Sequence, residues 1–156
     1  MRRISANGLD MLKHFESLHD GDKRTPMLEP QLDCRGIPTL GWGAIYDSKG
    51  QRVTLQTLAI DHTEADALLM RDTDRAAVAV GKLITVPLED GQFDALVDFV
   101  YNLGSGRLLA STLRQVVNRG EYDLAPEQFA RWCYAGGVKL AGLVRRRAAE
   151  VEMWRG

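Results

Sequence analysis

The chain has few of the residues on which several specialised protein classes depend. Its 156 residues include only two cysteines, Cys34 and Cys133. Two cysteines are too few for a disulfide framework and are typical of a protein made in a reducing compartment. The three histidines have no metal-ligand spacing with each other or with the cysteines, so we expect no metal site. The sequence also lacks a Gly-rich phosphate loop and a basic, aromatic stripe, which argues against a nucleic-acid partner.

Long apolar runs are also missing. No run reaches the roughly 20 apolar residues that a membrane-spanning helix needs. The segment from Ile4 to Phe15 contains Asn7, Asp10 and Lys13, so it is not the apolar core of a signal peptide. We therefore expect synthesis in the cytoplasm and no stable insertion into a membrane.

Composition and charge are otherwise those of a globular protein. Hydrophobic residues make up 45% of the chain and charged residues 26%, with a net charge of −1. The length suits one domain or two small lobes that share a core. Residues 1–98 hold 11 basic and 16 acidic side chains, whereas residues 99–156 hold 9 and 5. A basic C-terminal part suits an anionic polymer as partner, although uneven solvated surface explains it equally well.

The N-terminal segment has the pattern of a short amphipathic helix. Asn7 or Ser5 is placed to cap it, and Leu9, Leu12 and Phe15 share one face at helical spacing. Glu16 follows at the edge of that face, near the end of the helix.

The rest of the chain divides into a loop, a region of short strands and a series of helices. Residues 17–31 are polar and contain Gly and Pro, which predicts a loop, and residues 32–57 favour short strands with a turn at 47–50. An apolar stripe beginning at Thr63 predicts a helix of about 20 residues. Further helices are predicted near residues 88–103, 111–118, 126–132 and 142–154.

Three polar side chains stand out because of their order and spacing. Glu16 supplies a carboxyl group on a helix, where it can donate a proton. Asp33 and Thr39 supply a second carboxyl group and a hydroxyl group on a neighbouring hairpin, where they can hold a water molecule. Hydrolysis of a glycosidic bond with inversion requires such a set, an acid on one side and a carboxylate with a water on the other.

The run from Asp33 to Gly43, after Phe15-Glu16, closely resembles the catalytic segment of glycoside hydrolase family 24, the phage-type lysozymes or endolysins. Four later segments match this family in order: "(F/Y)-N-x-G-x-G" at 99–106, "S-T-L" at 111–113, "F-x-x-W-x-x-A-G-G" at 129–137 and "G-L-x-x-R-R-x-x-E" at 142–150. Together they cover most of the chain.

The chain departs from the family pattern at two places. The family commonly has about eight residues between its Glu and Asp, whereas the segment Ser17–Leu32 is roughly twice as long. A His often follows the Gly-x-Gly, and here that position is Ala44. We expect the long segment to be an ordered wall of the site, with a tolerated surface insertion as the alternative.

The resemblance implies an α+β, lysozyme-like fold in a single domain. A small N-terminal lobe with a β-hairpin would occupy residues 1–62 and a helical C-terminal lobe residues 82–156. A connecting helix at about 63–82 would join the lobes, with the cleft between them.

The resemblance also implies an N-acetylmuramidase that hydrolyses the β-1,4 bond between N-acetylmuramic acid and N-acetylglucosamine in peptidoglycan. Glu16 would protonate the glycosidic oxygen, while Asp33 and Thr39 would hold the attacking water or stabilise the oxocarbenium charge. The enzyme would need no cofactor. It would act as a monomer during phage-mediated host lysis and would depend on a separate pore protein for access to the wall.

Several further residues have two interpretations. Trp42 and Tyr46 either stack on sugar rings or pack the hairpin. Asn102 either caps a helix end or binds a sugar acetamido group. The resemblance also implies that an arginine of the last helix pairs with the catalytic Glu, and Arg145 and Arg146 are the candidates.

Two other functions compete with hydrolysis. A lytic transglycosylase uses one acid/base and the sugar's own 6-hydroxyl group, but the presence of both Asp33 and Thr39 argues against it. A non-catalytic wall-binding or virion module is the second alternative, and retention of all three polar groups argues against that.

Overall fold

The computed structural model describes residues 1–18 and 24–156. The helices in these ranges are α1 (Ala6–Glu16), α2 (His62–Leu83), α3 (Asp90–Leu103), α4 (Ser105–Ala110), α5 (Thr112–Asn118), a 3₁₀ turn (Tyr122–Leu124), α6 (Ala125–Ala130) and α7 (Ala141–Arg155). The strands form two antiparallel pairs, β1 (Gln31–Leu32) with β2 (Pro38–Thr39), and β3 (Tyr134–Ala135) with β4 (Val138–Lys139). This mixture of helices and small hairpins confirms the predicted α+β class. Within the described ranges, no helix combines the length and the hydropathy needed to cross a membrane.

Most predicted elements are present, with small shifts at their ends. Helix α2 begins at His62, and the side chain of Asp61 caps it by accepting a hydrogen bond from the backbone N–H of Glu64 at 2.7 Å. The turn at 47–50 is held by Asp47, whose Oδ1 accepts hydrogen bonds from the backbone N–H groups of Lys49 and Gln51. Residues 19–23, within the predicted loop, lie outside the described residues, so the predicted wall of the site is not tested there.

Contacts between Cα atoms group the chain into two compact units. The smaller unit is Lys13–Asp72, and the larger unit is Met1–Leu12 with Thr73–Gly156. The core of the smaller unit is a buried apolar cluster on which Leu18 and Trp42 pack, and it consists of Leu28, Leu40, Ala44, Val53, Ile60, Ala65 and Leu68. This cluster fixes the hairpin segment 31–44 on helix α2 by burial of apolar surface.

Helix α3 is the centre of the larger unit. All eight residues from Phe93 to Val100 are buried, so the helix is covered on every side. The ring of Phe99 packs edge-to-face on Phe129 and Trp132, with centroids 5.8 and 5.5 Å apart. Helix α7 packs on both α3 and α6. The apolar stripes of these helices therefore meet in one core.

The start of helix α1 is anchored within the larger unit. Of the two predicted caps, Ser5 is the one used, because its Oγ accepts a hydrogen bond from the N–H of Gly8 at 3.2 Å. The Ser5 hydroxyl and backbone N–H both donate to the buried carboxylate of Asp94. A Cβ atom on Gly8 would lie 2.6 Å from Cγ of Asp94, so only glycine fits at this position.

A buried charged cluster joins α3 to α7. Arg146 donates two hydrogen bonds to Asp98, at 2.8 and 2.9 Å, and both side chains are buried. Arg147 donates to Glu150 at 2.7 Å and lies over the face of Phe99. Among the described residues, no hydrogen-bond donor reaches Oε2 of Glu150. Burial, which outweighs the nearby Arg147, raises the pKa of Glu150 well above its usual value, and a hydrogen bond to Asp98 raises it further.

This cluster predicts how stability depends on pH. A raised folded-state pKa means that the folded protein holds a proton that the unfolded chain releases above about pH 4.3. The stabilisation by Glu150 is therefore complete below that value and decreases as the pH rises through the folded-state pKa. Glu150→Gln cannot ionise, so its free energy of unfolding should increase relative to wild type as the pH rises.

Urea unfolding at a series of pH values measures this difference. Glu152→Gln on the same helix is the control, because the Glu152 side chain is 80% exposed and should leave the pH dependence unchanged. Parallel stability curves for wild type and Glu150→Gln would show that folding does not raise the pKa of Glu150.

Candidate active site

Glu16 is the last residue of α1, and its carboxyl group lies against the Gly41-Trp42-Gly43 turn. A Cβ atom built on Gly43 would be only 3.2 Å from Oε2 of Glu16. Gly43 also has a φ of +91°, a conformation that favours glycine. The bare backbone at residue 43 therefore provides the space in which the Glu16 carboxyl group sits. Glu16 itself is half-buried.

Asp33 lies in the tight turn between β1 and β2 and is held by four hydrogen bonds. Its Oδ1 accepts from the backbone N–H groups of Arg35 and Ile37, at 2.8 and 2.9 Å. Its Oδ2 accepts from Nε and Nη2 of Arg35, at 3.1 and 2.9 Å. Burial alone raises the pKa of Asp33, but the bonds from Ile37 and Arg35 outweigh burial and lower the pKa below its usual value. Asp33 is consequently a carboxylate at neutral pH.

Thr39 is buried at the end of β2, opposite Gln31 in the hairpin register. Its hydroxyl group donates to the carbonyl oxygen of Gln31 at 3.2 Å. Since that bond uses the only hydroxyl proton, further partners of Thr39 Oγ1 must be donors. A water bound there would have to donate a hydrogen bond to Thr39 and would keep its own lone pairs available.

The smaller unit therefore contains all three of the polar side chains that the sequence singled out. Asp33 and Thr39 belong to one hairpin, and Glu16 sits on the Gly41–Gly43 turn that follows the same hairpin. The set contains a carboxyl group against the backbone of a glycine, a carboxylate kept ionised by its donors, and a hydroxyl group that can accept hydrogen bonds. These are the groups that acid-assisted attack by water requires.

Trp42 and Tyr46 both have contacts within the smaller unit. Nε1 of Trp42 donates to Asp66 at 2.8 Å, so one edge of the indole is engaged by helix α2. Tyr46 is exposed and lies beside the guanidinium group of Arg52, which is 5.4 Å from the ring centroid. These contacts show how both rings pack on the hairpin region, and a role in sugar stacking stays a prediction for both.

Asn102, Arg145 and Arg146 lie in the larger unit. Oδ1 of Asn102 accepts a hydrogen bond from Nη2 of Arg147 at 2.8 Å, which fixes the orientation of the amide near the end of α3. Arg146 is buried on Asp98, whereas Arg145 is exposed. The pairing of Arg145 or Arg146 with Glu16 stays a prediction, as does the contact of Asn102 with substrate.

Three residues around the site were not singled out from the sequence. Arg35 lies two residues after Asp33 in the chain and donates hydrogen bonds to its carboxylate. The Asp-x-Arg spacing is a local signal for this contact. Gly43 was noted only as part of a motif, and its contact with Glu16 has no signal in the sequence. Asp66 binds Trp42 across 24 residues of chain, and its pattern is that of an ordinary exposed helix position.

Comparison with known proteins identifies the family. The family model described as phage lysozyme matches residues 22–150, a range that includes Asp33, Thr39 and Asn102 and begins after Glu16. In the solved structures, the fold of the endolysin from Escherichia coli O157:H7 phage FAHEc1 is similar, with a TM-score of 0.85 and 32% identity. That likeness covers 98% of this chain and 93% of the other.

Two curated relatives extend this result. The endolysin of Salmonella phage P22 is 33% identical over 147 residues, which is 94% of both chains. The endolysin of Bacillus phage B103 is 35% identical over 94% of this chain but only 52% of its own length, so the chain spans about half of that relative. The extent of these matches, together with the lysozyme-like fold, shows that the chain belongs to the phage lysozyme family.

Proposed function

We propose that the protein is a peptidoglycan muramidase of glycoside hydrolase family 24, which hydrolyses the β-1,4 bond between N-acetylmuramic acid and N-acetylglucosamine. The observation that carries this proposal is the position of the Glu16 carboxyl group on the turn that follows the Asp33–Thr39 hairpin. The family relationship and the endolysins among the relatives support the choice of substrate.

In the first step, Glu16 donates its proton to the glycosidic oxygen. This proton neutralises the leaving alcohol as the bond breaks, and positive charge develops on the sugar ring. The absence of a side chain at Gly43 leaves the space in which the Glu16 carboxyl group lies. A positioned general acid typically contributes roughly 10²–10⁴-fold in rate.

As the bond breaks, a water molecule attacks the opposite face of the ring with inversion. Thr39 orients this water, because its hydroxyl proton is already engaged by Gln31 and its oxygen accepts a hydrogen bond from the water. Asp33 has about four acceptor positions, and four donors occupy them. The water therefore gains access to Asp33 when Arg35 moves off Oδ2, and Asp33 then accepts the proton that the water loses as it attacks. This movement costs little because the Arg35 side chain is 71% exposed.

The two competing functions predict different products. A lytic transglycosylase leaves an anhydro sugar end, while a hydrolase adds one water molecule to each broken bond, and mass spectrometry of released fragments separates them. A non-catalytic module releases no fragments. The buried Thr39 and the held Asp33 favour hydrolysis, because the transglycosylase reaction has no role for a held water.

The setting in which the enzyme acts is also part of this proposal. It is made in the host cytoplasm, reaches the wall through a separate pore protein during phage-mediated lysis, and works there as a monomer without a cofactor. The endolysins among its relatives support this setting.

Replacing Glu16 by Gln tests the acid assignment. The amide has the same shape but cannot deliver a proton, so the rate of wall clearing should fall roughly 10²–10⁴-fold while the thermal unfolding midpoint changes little. Turbidity of purified cell walls measures the rate. Glu29→Gln, an exposed carboxyl group of the same unit, is the control and should clear walls normally. Near-normal clearing by Glu16→Gln would refute the assignment.

Replacing Gly43 by Ala tests the contact with Glu16. The new Cβ atom would press on Oε2 at 3.2 Å and displace the carboxyl group, so kcat should fall at least tenfold. Gly50→Ala is the matched control, because Gly50 also has a positive φ of +77° but nothing within 4 Å of its Cβ position. Both variants lose roughly 1–3 kcal/mol of stability to backbone strain. Equal activity in the two variants would contradict the proposed role of residue 43.

A further inference from the structure

One carboxylate oxygen on helix α2 holds two side chains that flank the proposed acid. Oδ1 of Asp66 accepts a hydrogen bond from Nε1 of Trp42 at 2.8 Å. The same oxygen forms an ion pair with Nζ of Lys13 at 2.9 Å. The ammonium group of Lys13 also lies 5.0 Å from the centroid of the Trp42 ring. Asp66, Trp42 and Lys13 therefore form one cluster, here called the Asp66 clamp.

The Asp66 clamp is connected to Glu16 through three consecutive residues. A Cβ atom on Gly41 would lie 2.7 Å from Cβ of Ala65, so helix α2 presses directly on the backbone there. Trp42 is held by Asp66, the next residue of the same helix. Gly43 then lies against the carboxyl group of Glu16. The Gly41–Gly43 turn is thus fixed to α2 at Gly41 and Trp42, and its third residue, Gly43, lies next to Glu16.

The clamp is also connected to Glu16 along helix α1. Lys13 and Glu16 are three residues apart, which places them as neighbours on one side of the helix. The Lys13–Asp66 pair therefore ties the last turn of α1 to α2 next to Glu16. The hydrogen bond from Lys13, with that from Trp42, lowers the pKa of Asp66 despite partial burial, so Asp66 is a carboxylate at neutral pH.

Stability alone does not account for these contacts. The Asp66 side chain is 53% exposed, and an ion pair at such a position contributes little to the free energy of unfolding. The contacts of Asp66 matter more for position, because they fix both the turn on which Glu16 lies and the end of the helix that carries Glu16. Small displacements of a catalytic group reduce rates steeply.

We propose that Asp66 is a positioning residue for Glu16, acting through its hydrogen bond to Trp42 and, in a supporting role, through its ion pair with Lys13. This inference rests on the proposed function of Glu16 as the acid. Asp66 does not touch the substrate in this account. It fixes where Gly43 presents its backbone to the Glu16 carboxyl group.

Steady-state kinetics on a soluble peptidoglycan oligosaccharide test the proposal with three variants. Asp66→Ala removes both contacts, and kcat should fall roughly tenfold to a hundredfold with little change in KM. Asp66→Asn keeps an acceptor oxygen for Trp42, so its kcat should recover to within about threefold of wild type. Lys13→Met removes the ion pair and the ammonium group beside the Trp42 ring but keeps the hydrogen bond from Trp42 to Asp66, so its kcat should resemble that of Asp66→Asn.

The indole N–H resonance of Trp42 gives a readout that is independent of turnover. It should exchange faster with solvent in Asp66→Ala, where the hydrogen bond is lost, but not in Lys13→Met, where that bond is kept. Asp61→Ala is the matched control, because it removes the cap of the same helix without touching the Gly41–Gly43 turn. It should lower the unfolding midpoint and leave kcat unchanged.

The outcomes separate this inference from the proposed function. Wild-type kcat in Asp66→Ala, with faster exchange of the Trp42 indole N–H, would overturn the positioning role, as would equal losses of kcat in Asp66→Ala and Asp66→Asn. If Glu16→Gln stays active, the assignment of Glu16 as the acid is refuted, whatever the kinetics of the Asp66 variants. A kcat loss in Asp66→Ala that Asp66→Asn rescues, beside an inactive Glu16→Gln, supports both.

Discussion

The close approach between the Glu16 carboxyl group and the backbone of Gly43 is the contact on which the site depends. It requires a residue without a side chain, and it requires a backbone with positive φ at that residue. It also requires that the end of α1 and the turn after β2 be held in register with each other. The buried cluster of the smaller unit meets this last requirement, since it packs Leu40 and Ala44, on either side of the Gly41–Gly43 turn, against Ala65 and Leu68 of helix α2.

The polar groups divide into those that are fixed tightly and those that are left adjustable. Both carboxylate oxygens of Asp33 accept hydrogen bonds, yet the side chain that donates to Oδ2, Arg35, is largely exposed and can move. Thr39 is buried and has its proton engaged. In the larger unit, Asn102 is oriented by Arg147, which is itself buried against Glu150 and Phe99. A buried arginine therefore orients Asn102, whereas an exposed arginine, Arg35, lies next to the proposed water position.

Much of this organisation was predictable because its signals are local. The helical periodicity of 63–82 and of 88–103 predicted helices α2 and α3 to within a few residues, since apolar spacing along the chain reports directly on the buried face. The family motifs pointed to Asp33 and Thr39, and the structure places both on one hairpin, while their catalytic role stays a prediction. The two-residue strands β3 and β4 were not predicted, because two residues are too few to show alternation. The Ser5–Asp94 and Trp42–Asp66 contacts join residues far apart in sequence, and no local pattern reports on such a contact.

The central claim is that a water held at the Asp33–Thr39 hairpin attacks while Glu16 protonates the leaving group. The configuration of the reducing end at the moment of its formation tests this claim most directly. Early-time ¹H NMR of a soluble peptidoglycan oligosaccharide during digestion reads the newly formed anomer before mutarotation. Single displacement at a β-linked sugar predicts that the α-anomer is formed first. Initial formation of the β-anomer would mean a covalent or otherwise retaining mechanism and would contradict the account.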